Sequence, residues 1–260
     1  MGHDSTDRPT ITVVTPSYNQ VAYVGQTMES VRDQEGVEVE HIVVDGMSTD
    51  GSLDVLRRYA ADATIIAEPD RGQTDAINKG LRRAGGDIVC WLNSDDYFLP
   101  GTLQAVSEYF AAHPEAVWLT GDCLIVDAEG KRIQEPVRWY KRALRTLPAT
   151  AYLGVTNAIT QPATFWRRSA HDRLGYLDET LRYTMDYDWW LRLATLGRPA
   201  KINRPLTAFR IHEESKGGSA YREQFAEDLT TFRRHNGSRL LGRVHAAHNA
   251  AIMRAYDRVK

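Results

Sequence analysis

Strand and helix alternate four times in the first part of this chain, and that alternation constrains the fold more than any other feature. The apolar, β-branched run at 10–16, "TITVVTP", predicts a buried strand halted by its proline. Val24, Met28 and Val31 then recur at helical spacing. "EVEHIVVDG" (38–46) predicts a second strand, and 50–60 a helix opened by Asp50 or Ser52. "ATIIAEP" (63–69) is the third strand, and 73–86 a helix closed by glycines. "DIVCWLN" (87–93) is the fourth, followed by a helix over 100–114. Apolar strands separated by amphipathic helices specify an α/β fold with a mostly parallel central sheet, Rossmann-like and covered by helices on both faces. Beyond 117 the pattern loosens. Strands around a turn at Glu129-Gly130, a helix over 186–197, a strand over 206–212 and a largely helical end from 221 are expected.

With 260 residues, 42% hydrophobic and 25% charged, the chain is long enough for one large domain or for one domain with an appended piece. The expected division is a leader without structure at 1–9, a main domain over 10–218 and a helical C-terminal extension over 219–260. A net charge of -2 predicts no general affinity for nucleic acid. Cys90 and Cys123 sit in apolar runs and read as buried free thiols of a reducing compartment. No run reaches the roughly 18–20 apolar residues of a membrane span. The expected location is the cytoplasm, with peripheral contact at the inner face of the membrane as an alternative.

Each of the four strands ends in a polar cluster: "TPSYNQ" (15–20), "DGMSTDG" (45–51), "EPDRGQTDAINKG" (68–80) and "NSDD" (93–96). Carboxyl ends of parallel strands share one edge, where ligands bind, so four clusters from distant sequence should meet in one crevice. Singly each has a plainer reading, since Asp45-Gly46 and Asp70-Arg71-Gly72 are also ordinary turn chemistry. There is no GxGxxG after the first strand, and the 46–52 glycine spacing lacks the lysine of a P-loop. Tyr18 instead offers a ring on which a nucleobase can stack. Asp45 can accept the N–H of uracil or the N–H pair of guanine, and Arg71 carries a donor fork for a carbonyl or phosphate. Asp95 and Asp96 fall where the ribose and diphosphate of a nucleotide would lie. One carboxylate can accept from ribose hydroxyls while the other holds Mg²⁺ or Mn²⁺; a solvated turn ahead of Pro100 is the plainer alternative.

At these residues the chain resembles the family 2 glycosyltransferases of GT-A fold. "ITVVTPSYNQ", "VVDGMSTDGS", "EPDRGQTDAINKG", "WLNSDDYFLPGTL" and "DYDWWLRL" carry the resemblance, which covers roughly 10–215. It implies a metal-dependent enzyme of glycan, glycolipid or cell-surface polysaccharide biosynthesis. Such an enzyme moves a sugar, with inversion, from a UDP, dTDP or GDP donor to a hydroxyl of a glycan or lipid-linked acceptor. It implies that Thr15, Pro16, Ser17 and Tyr18 hold the nucleobase, Asp45 reads it and Arg71, Asp75 and Asn78 face the donor. Asn93, Ser94, Asp95 and Asp96 stand in place of the family's DxD, with Asp95 as the ribose or sugar contact and Asp96 as the metal ligand. Asn93 departs from that motif, being neutral where the family has an acid. Asp186 matches the family's general base, with Asp188 as the competing choice. His212 in "FRIHEES" either completes the metal site or is a structural histidine. Gln161 and Trp166 of "TQPATFWRR", with Trp189, are the expected acceptor-side residues, although core packing suits at least one of the neighbouring tryptophans Trp189 and Trp190.

Two rivals remain open on sequence. A sugar-phosphate nucleotidyltransferase would want a glycine-rich basic loop after the first strand, which "TPSYNQ" is not. A non-catalytic sugar-nucleotide-binding protein would have no use for Asp186. In the tail, Leu240, Leu241, Val244, Ala247 and Ala251 recur among Arg239, Arg243, Arg254 and Arg258. That pattern suits packing on the domain, a homodimer, or an anionic membrane surface.

Overall fold

The computed structural model describes residues 8–213, 215, 221–236 and 238–259. Strands β1 (Ile11–Ser17), β2 (Val39–Asp45), β3 (Thr64–Ala67) and β4 (Ile88–Trp91) run parallel in the order β3-β2-β1-β4. Helices α1 (Val24–Arg32), α2 (Ser52–Arg57) and α3 (Gln73–Leu81) cross between them, and α4 (Thr102–Ala112) follows. Successive side chains of a strand point to opposite faces. On β2, Val43 accordingly packs with Val24, Met28 and Leu56 of α1 and α2, while Ile42 and Val44 pack with Ala76 of α3. Both faces of the sheet are therefore covered, as the alternating pattern requires. Close packing at α3 depends on Gly80, where a Cβ would lie 2.3 Å from Val14 Cγ1.

β5 (Tyr97–Phe98), β6 (Trp118–Val126), β7 (Thr164–Arg167) and β8 (Ala200–Arg210) extend the sheet to β3-β2-β1-β4-β7-β6-β8-β5. β7 is antiparallel to β4 and β6, and β5 to β8; the other neighbours are parallel. Helices α5 (Glu135–Leu144), α6 (Ala149–Tyr152), α7 (Ala170–Leu174) and α8 (Met185–Leu193) lie between these strands. α9 (Tyr221–His235) and α10 (Arg239–Val259) close the chain. Trp91, Trp190 and Trp118 form a parallel stack in the core, with centroids 5.7 and 6.0 Å apart and planes 5° from parallel.

One expectation needs adjusting. Pro16 does not halt β1, which runs on to Ser17. Pairing of β1 with β4 ends at Val14, so beyond it the strand is bonded on one side only, where a proline costs no ladder bond. Of the expected leader, residues 1–7 lie outside the described residues. Arg8 and Pro9 are tied in, Arg8 donating to the Gly36 carbonyl at 3.2 Å and Pro9 accepting from Ser107 Oγ at 2.8 Å. The boundary expected at 218 also falls outside the described residues. The helices after it pack on the main core through Phe232, and His235 Nε2 lies 2.6 Å from Asp188 Oδ1 on α8.

Candidate active site

All four polar clusters reach one cavity of about 720 Å³ at the carboxyl edge of β1–β4. Pro16, Ser17, Tyr18 and Gln20 come from the first, Gly46 from the second, Pro69, Asp70, Gly72 and Gln73 from the third, and Asn93, Ser94 and Asp95 from the fourth. Gly46 has no room for a side chain here. A Cβ would sit 2.4 Å from Asp70 Oδ2 and 3.3 Å from the Tyr18 ring. Tyr18 is 60% exposed, a free ring at the mouth.

Several predicted residues shape this cavity from behind rather than lining it. Thr15 is buried, with Oγ1 2.9 Å from His41 Nε2. Burial drives His41 down to about 3, so its ring is neutral. Asp45 is fully buried. Its carboxylate accepts from Ser17 Oγ at 2.9 Å and from the Ser48 N–H and Oγ at 2.7 Å each, pinning the first two loops together. Asn78 bonds the Leu177 N–H and carbonyl and Glu179, stapling α3 to the 177–179 segment. Arg71 is exposed, and with Asp75 and Glu179 it forms an ion-pair network at the rim. Trp166 and Trp189 are wholly buried, packed edge to face at 5.7 Å, so they belong to the core and offer no acceptor surface. Gln161 does line the cavity, accepting from Asn93 Nδ2 at 3.2 Å and donating to the Trp91 carbonyl at 2.8 Å.

The two adjacent aspartates have opposite environments. Asp96 is 0% exposed; Oδ1 accepts the Arg210 N–H at 2.9 Å and Oδ2 the Asn93 amide at 3.2 Å. Burial and the neighbouring Asp95 charge push its carboxyl well above the usual carboxylate range. Asp95, by contrast, lines the cavity, with Oδ2 3.1 Å from His212 Nε2. Arg210 holds this turn. Its side chain donates to the carbonyls of Asp95 and Ala128 and to Gln26 Oε1, and stacks over Tyr23 at 4.8 Å. Among the described residues no cluster of three or more His, Cys, Asp or Glu is placed to hold a metal. Asp95 offers a carboxylate oxygen of the kind a hard cation takes, with its remaining ligands from phosphate and water, the usual habit of Mg²⁺.

Asp186 faces the same cavity from the first turn of α8. Asn157 Nδ2 donates to its Oδ2 at 2.9 Å and the Tyr187 N–H to its Oδ1 at 2.7 Å. Burial raises its carboxyl to about 6, against the pull of those donors and of Lys141. Asp188 points elsewhere, into an ion pair with Arg192 at 2.7 Å and His235 at 2.6 Å. Of the two, only Asp186 lines the cavity.

Sequence reasoning missed Arg182, Tyr183 and Gln224, which also line it. It missed Glu227 as well. That carboxylate on α9 accepts the N–H groups of Arg182, Tyr183 and Thr184 at 2.9, 2.6 and 2.9 Å, fixing the approach to α8. Arg182 and Tyr183 stand just ahead of the predicted helix, a findable position; nothing in the tail's spacing marks Gln224 or Glu227.

The profile of the family described as Glycosyl transferase family 2 matches residues 12–175. The chain belongs to the family 2 glycosyltransferases. Among its relatives in this family is TuaG of Bacillus subtilis, provisionally assigned to teichuronic acid biosynthesis, 36% identical over 122 residues. That match covers 45% of this chain and 48% of TuaG, so the chain spans about half of that relative's length. An uncharacterized glycosyltransferase of Mycobacterium tuberculosis is 29% identical over 226 residues, 85% of this chain and 81% of its own. Among solved structures, mannosyltransferase PcManGT from Pyrobaculum calidifontis, in complex with GDP-Man and Mn²⁺, superposes with a TM-score of 0.70 at 21% identity, covering 99% of this chain and 77% of its own. S. aureus TarS 1-349, in complex with UDP-GlcNAc, gives 0.70 at 18%, covering 87% and 66%. Likeness at these identities is one of fold, and the fold is GT-A.

Proposed function

We propose that this glycosyltransferase moves a sugar from a nucleoside-diphosphate sugar to an acceptor hydroxyl, with inversion at the anomeric carbon and with a divalent cation. One observation supports the reading: Tyr18, Asp95 and Asp186 line the same cavity, so an aromatic ring and two carboxylates surround one space. The nucleotide sugars held by PcManGT and TarS on the same fold support the donor class.

In this reading the nucleobase rests on Tyr18, at the Gly46 close approach, and Asp45 holds that loop in shape. The acceptor oxygen attacks the anomeric carbon from the face opposite the diphosphate. The carbon–oxygen bond to the diphosphate breaks with its electron pair, and the acceptor proton passes to Asp186. A carboxyl near 6 is ionised at neutral pH yet basic enough to take that proton as the bond forms. Asp95 and His212 would hold Mg²⁺ or Mn²⁺, which when bound supplies positive charge against the departing diphosphate. Arg182, which also lines the cavity, would supply a further positive charge. Gln161 and Gln224 offer polar contacts for the sugar or the acceptor.

The test is a thermal-shift and hydrolysis screen of UDP, dTDP and GDP sugars with and without Mn²⁺. One donor class should stabilise the protein more than the rest, in a cation-dependent way, and release its nucleoside diphosphate. Equal indifference to all of them would reject the reading.

A further inference from the structure

Helix α5 is inside out. Its inward side is rich in cations: Arg138 and Arg142, with Arg145 just past the helix end, converge on buried Asp122 at 2.8, 4.0 and 3.1 Å, beside the core-packed Leu144. Its outward residues are apolar. Val137, Trp139 and Tyr140 are exposed, Trp139 by 53% and Tyr140 by 44%, and Leu147 follows just past the helix end. A surface helix in water presents the reverse arrangement, apolar stripe inward and charge outward.

α10 continues this face. The Tyr140 ring stacks on His248 of α10 at 6.2 Å and 13°. Leu240, Val244, Ala247 and Ala251 fall at helical spacing on α10 and all are exposed, Leu240 by 72%. Cations frame the strip. Arg138 and Arg142 lie over the Trp139 ring at 4.8 and 5.3 Å, and Arg239 and Arg243 are exposed beside Leu240 and Val244. Of the basic residues over 135–147 and 239–254, Arg138, Lys141 and Arg145 are turned inward, while Arg142, Arg239, Arg243 and Arg254 reach the surface; the single acid there, Glu135, pairs with Arg138. The chain as a whole carries -2, so this face is a basic island on a slightly acidic protein.

We infer that the outward face of α5 and α10 lies on an anionic lipid bilayer, with Trp139, Tyr140, Leu240 and Val244 entering the headgroup boundary and the arginines meeting lipid phosphates. Aromatic and aliphatic side chains framed by arginine are the chemistry of an interfacial helix. The same charge argues against a second copy as the occupant. A two-fold interface sets a patch against itself, which here would bring arginine toward arginine. Among the described residues no helix is long and apolar enough to cross a membrane, so the contact is one of lying on the surface. The inference does not depend on which sugar is moved.

The test uses the full chain, co-sedimented with vesicles of phosphatidylcholine alone and of phosphatidylcholine mixed with phosphatidylglycerol. Binding to the mixed vesicles only, with a blue shift of tryptophan emission and loss at high salt, is expected. Arg142→Gln and Arg243→Gln should each weaken it about fivefold, the equivalent of about 1 kcal/mol per basic residue near a charged surface. Trp139→Ser with Leu240→Ser should abolish it while the melting temperature stays at wild type, since both side chains are exposed. Failure to bind either vesicle would overturn the inference. So would equal binding by the double variant, or a dimer in light scattering that the double variant dissolves.

Discussion

Asn157 donates its side-chain amide to Asp186 Oδ2 at 2.9 Å, leaving Oδ1 to the N–H of Tyr187. Both donors favour the ionised carboxylate, while burial works against it and wins, setting the group near 6. The proposed base is ionised above that value, so turnover should rise with pH through about 6 and then level. Asn157→Ala removes one donor and should move that rise to higher pH. Asp186→Asn should cut turnover by roughly two to four powers of ten, with donor affinity kept. A pH–rate profile of the three proteins checks all three statements.

The same raised carboxyl has a consequence for stability. Its folded value lies above the 3.8 of an ordinary Asp, so the folded state binds this proton more tightly than the unfolded state does. The stability this gives is complete below about 3.8 and is lost as pH rises through about 6. Asp186→Asn should therefore raise the melting temperature at pH 7, and the gain should shrink as pH falls toward 4. Paired melts across that range measure it.

Asp95 and Asp96 should fail in different ways. Asp95→Ala removes the carboxylate on the cavity side and should abolish cation-dependent donor binding with little change in melting temperature. Asp96→Ala leaves the buried N–H of Arg210 without its acceptor and should cost about 1–3 kcal/mol of stability. Calorimetric titration of nucleotide with Mn²⁺, beside urea unfolding, separates the two.

Glu227 gathers three consecutive N–H groups just ahead of Asp186. Glu227→Ala should lower kcat about ten- to a hundredfold, the usual effect of a displaced reacting group, with the KM for donor nearly unchanged. Glu227→Gln, which keeps one acceptor oxygen, should recover part of the loss. Steady-state kinetics on both variants checks this.

At Gly46, even a methyl group would crowd Asp70 and the Tyr18 ring. Gly46→Ala should raise the donor KM several-fold. Its effect on folding should be small, because Asp70 is a rim side chain able to swing away. The KM and a thermal melt test the two halves.

The parallel half of the sheet was legible because its strands are apolar throughout and its loops are marked by glycine, proline and acid. The meeting of four loops at one edge followed from strand direction alone. What spacing could not convey was which way side chains point. Asp45 and Asp96 read as ligand contacts because carboxylates at strand ends usually face out. Here Ser17 and Ser48 turn one inward, and the Arg210 main chain the other. Trp166 and Trp189 read as acceptor-side residues, and only packing shows them enclosed. Glu227 acts through backbone groups more than forty positions away. No local pattern records a partnership of that kind.

The three parallel indoles of Trp91, Trp190 and Trp118 tie this architecture to light. Rings stacked this closely share their excited states, so the near-ultraviolet dichroism of the folded protein should carry a strong signal from them. Trp91 is also part of the floor of the cavity. A molecule settling there perturbs one end of the stack, which makes the protein's own absorbance and emission a label-free gauge of occupancy.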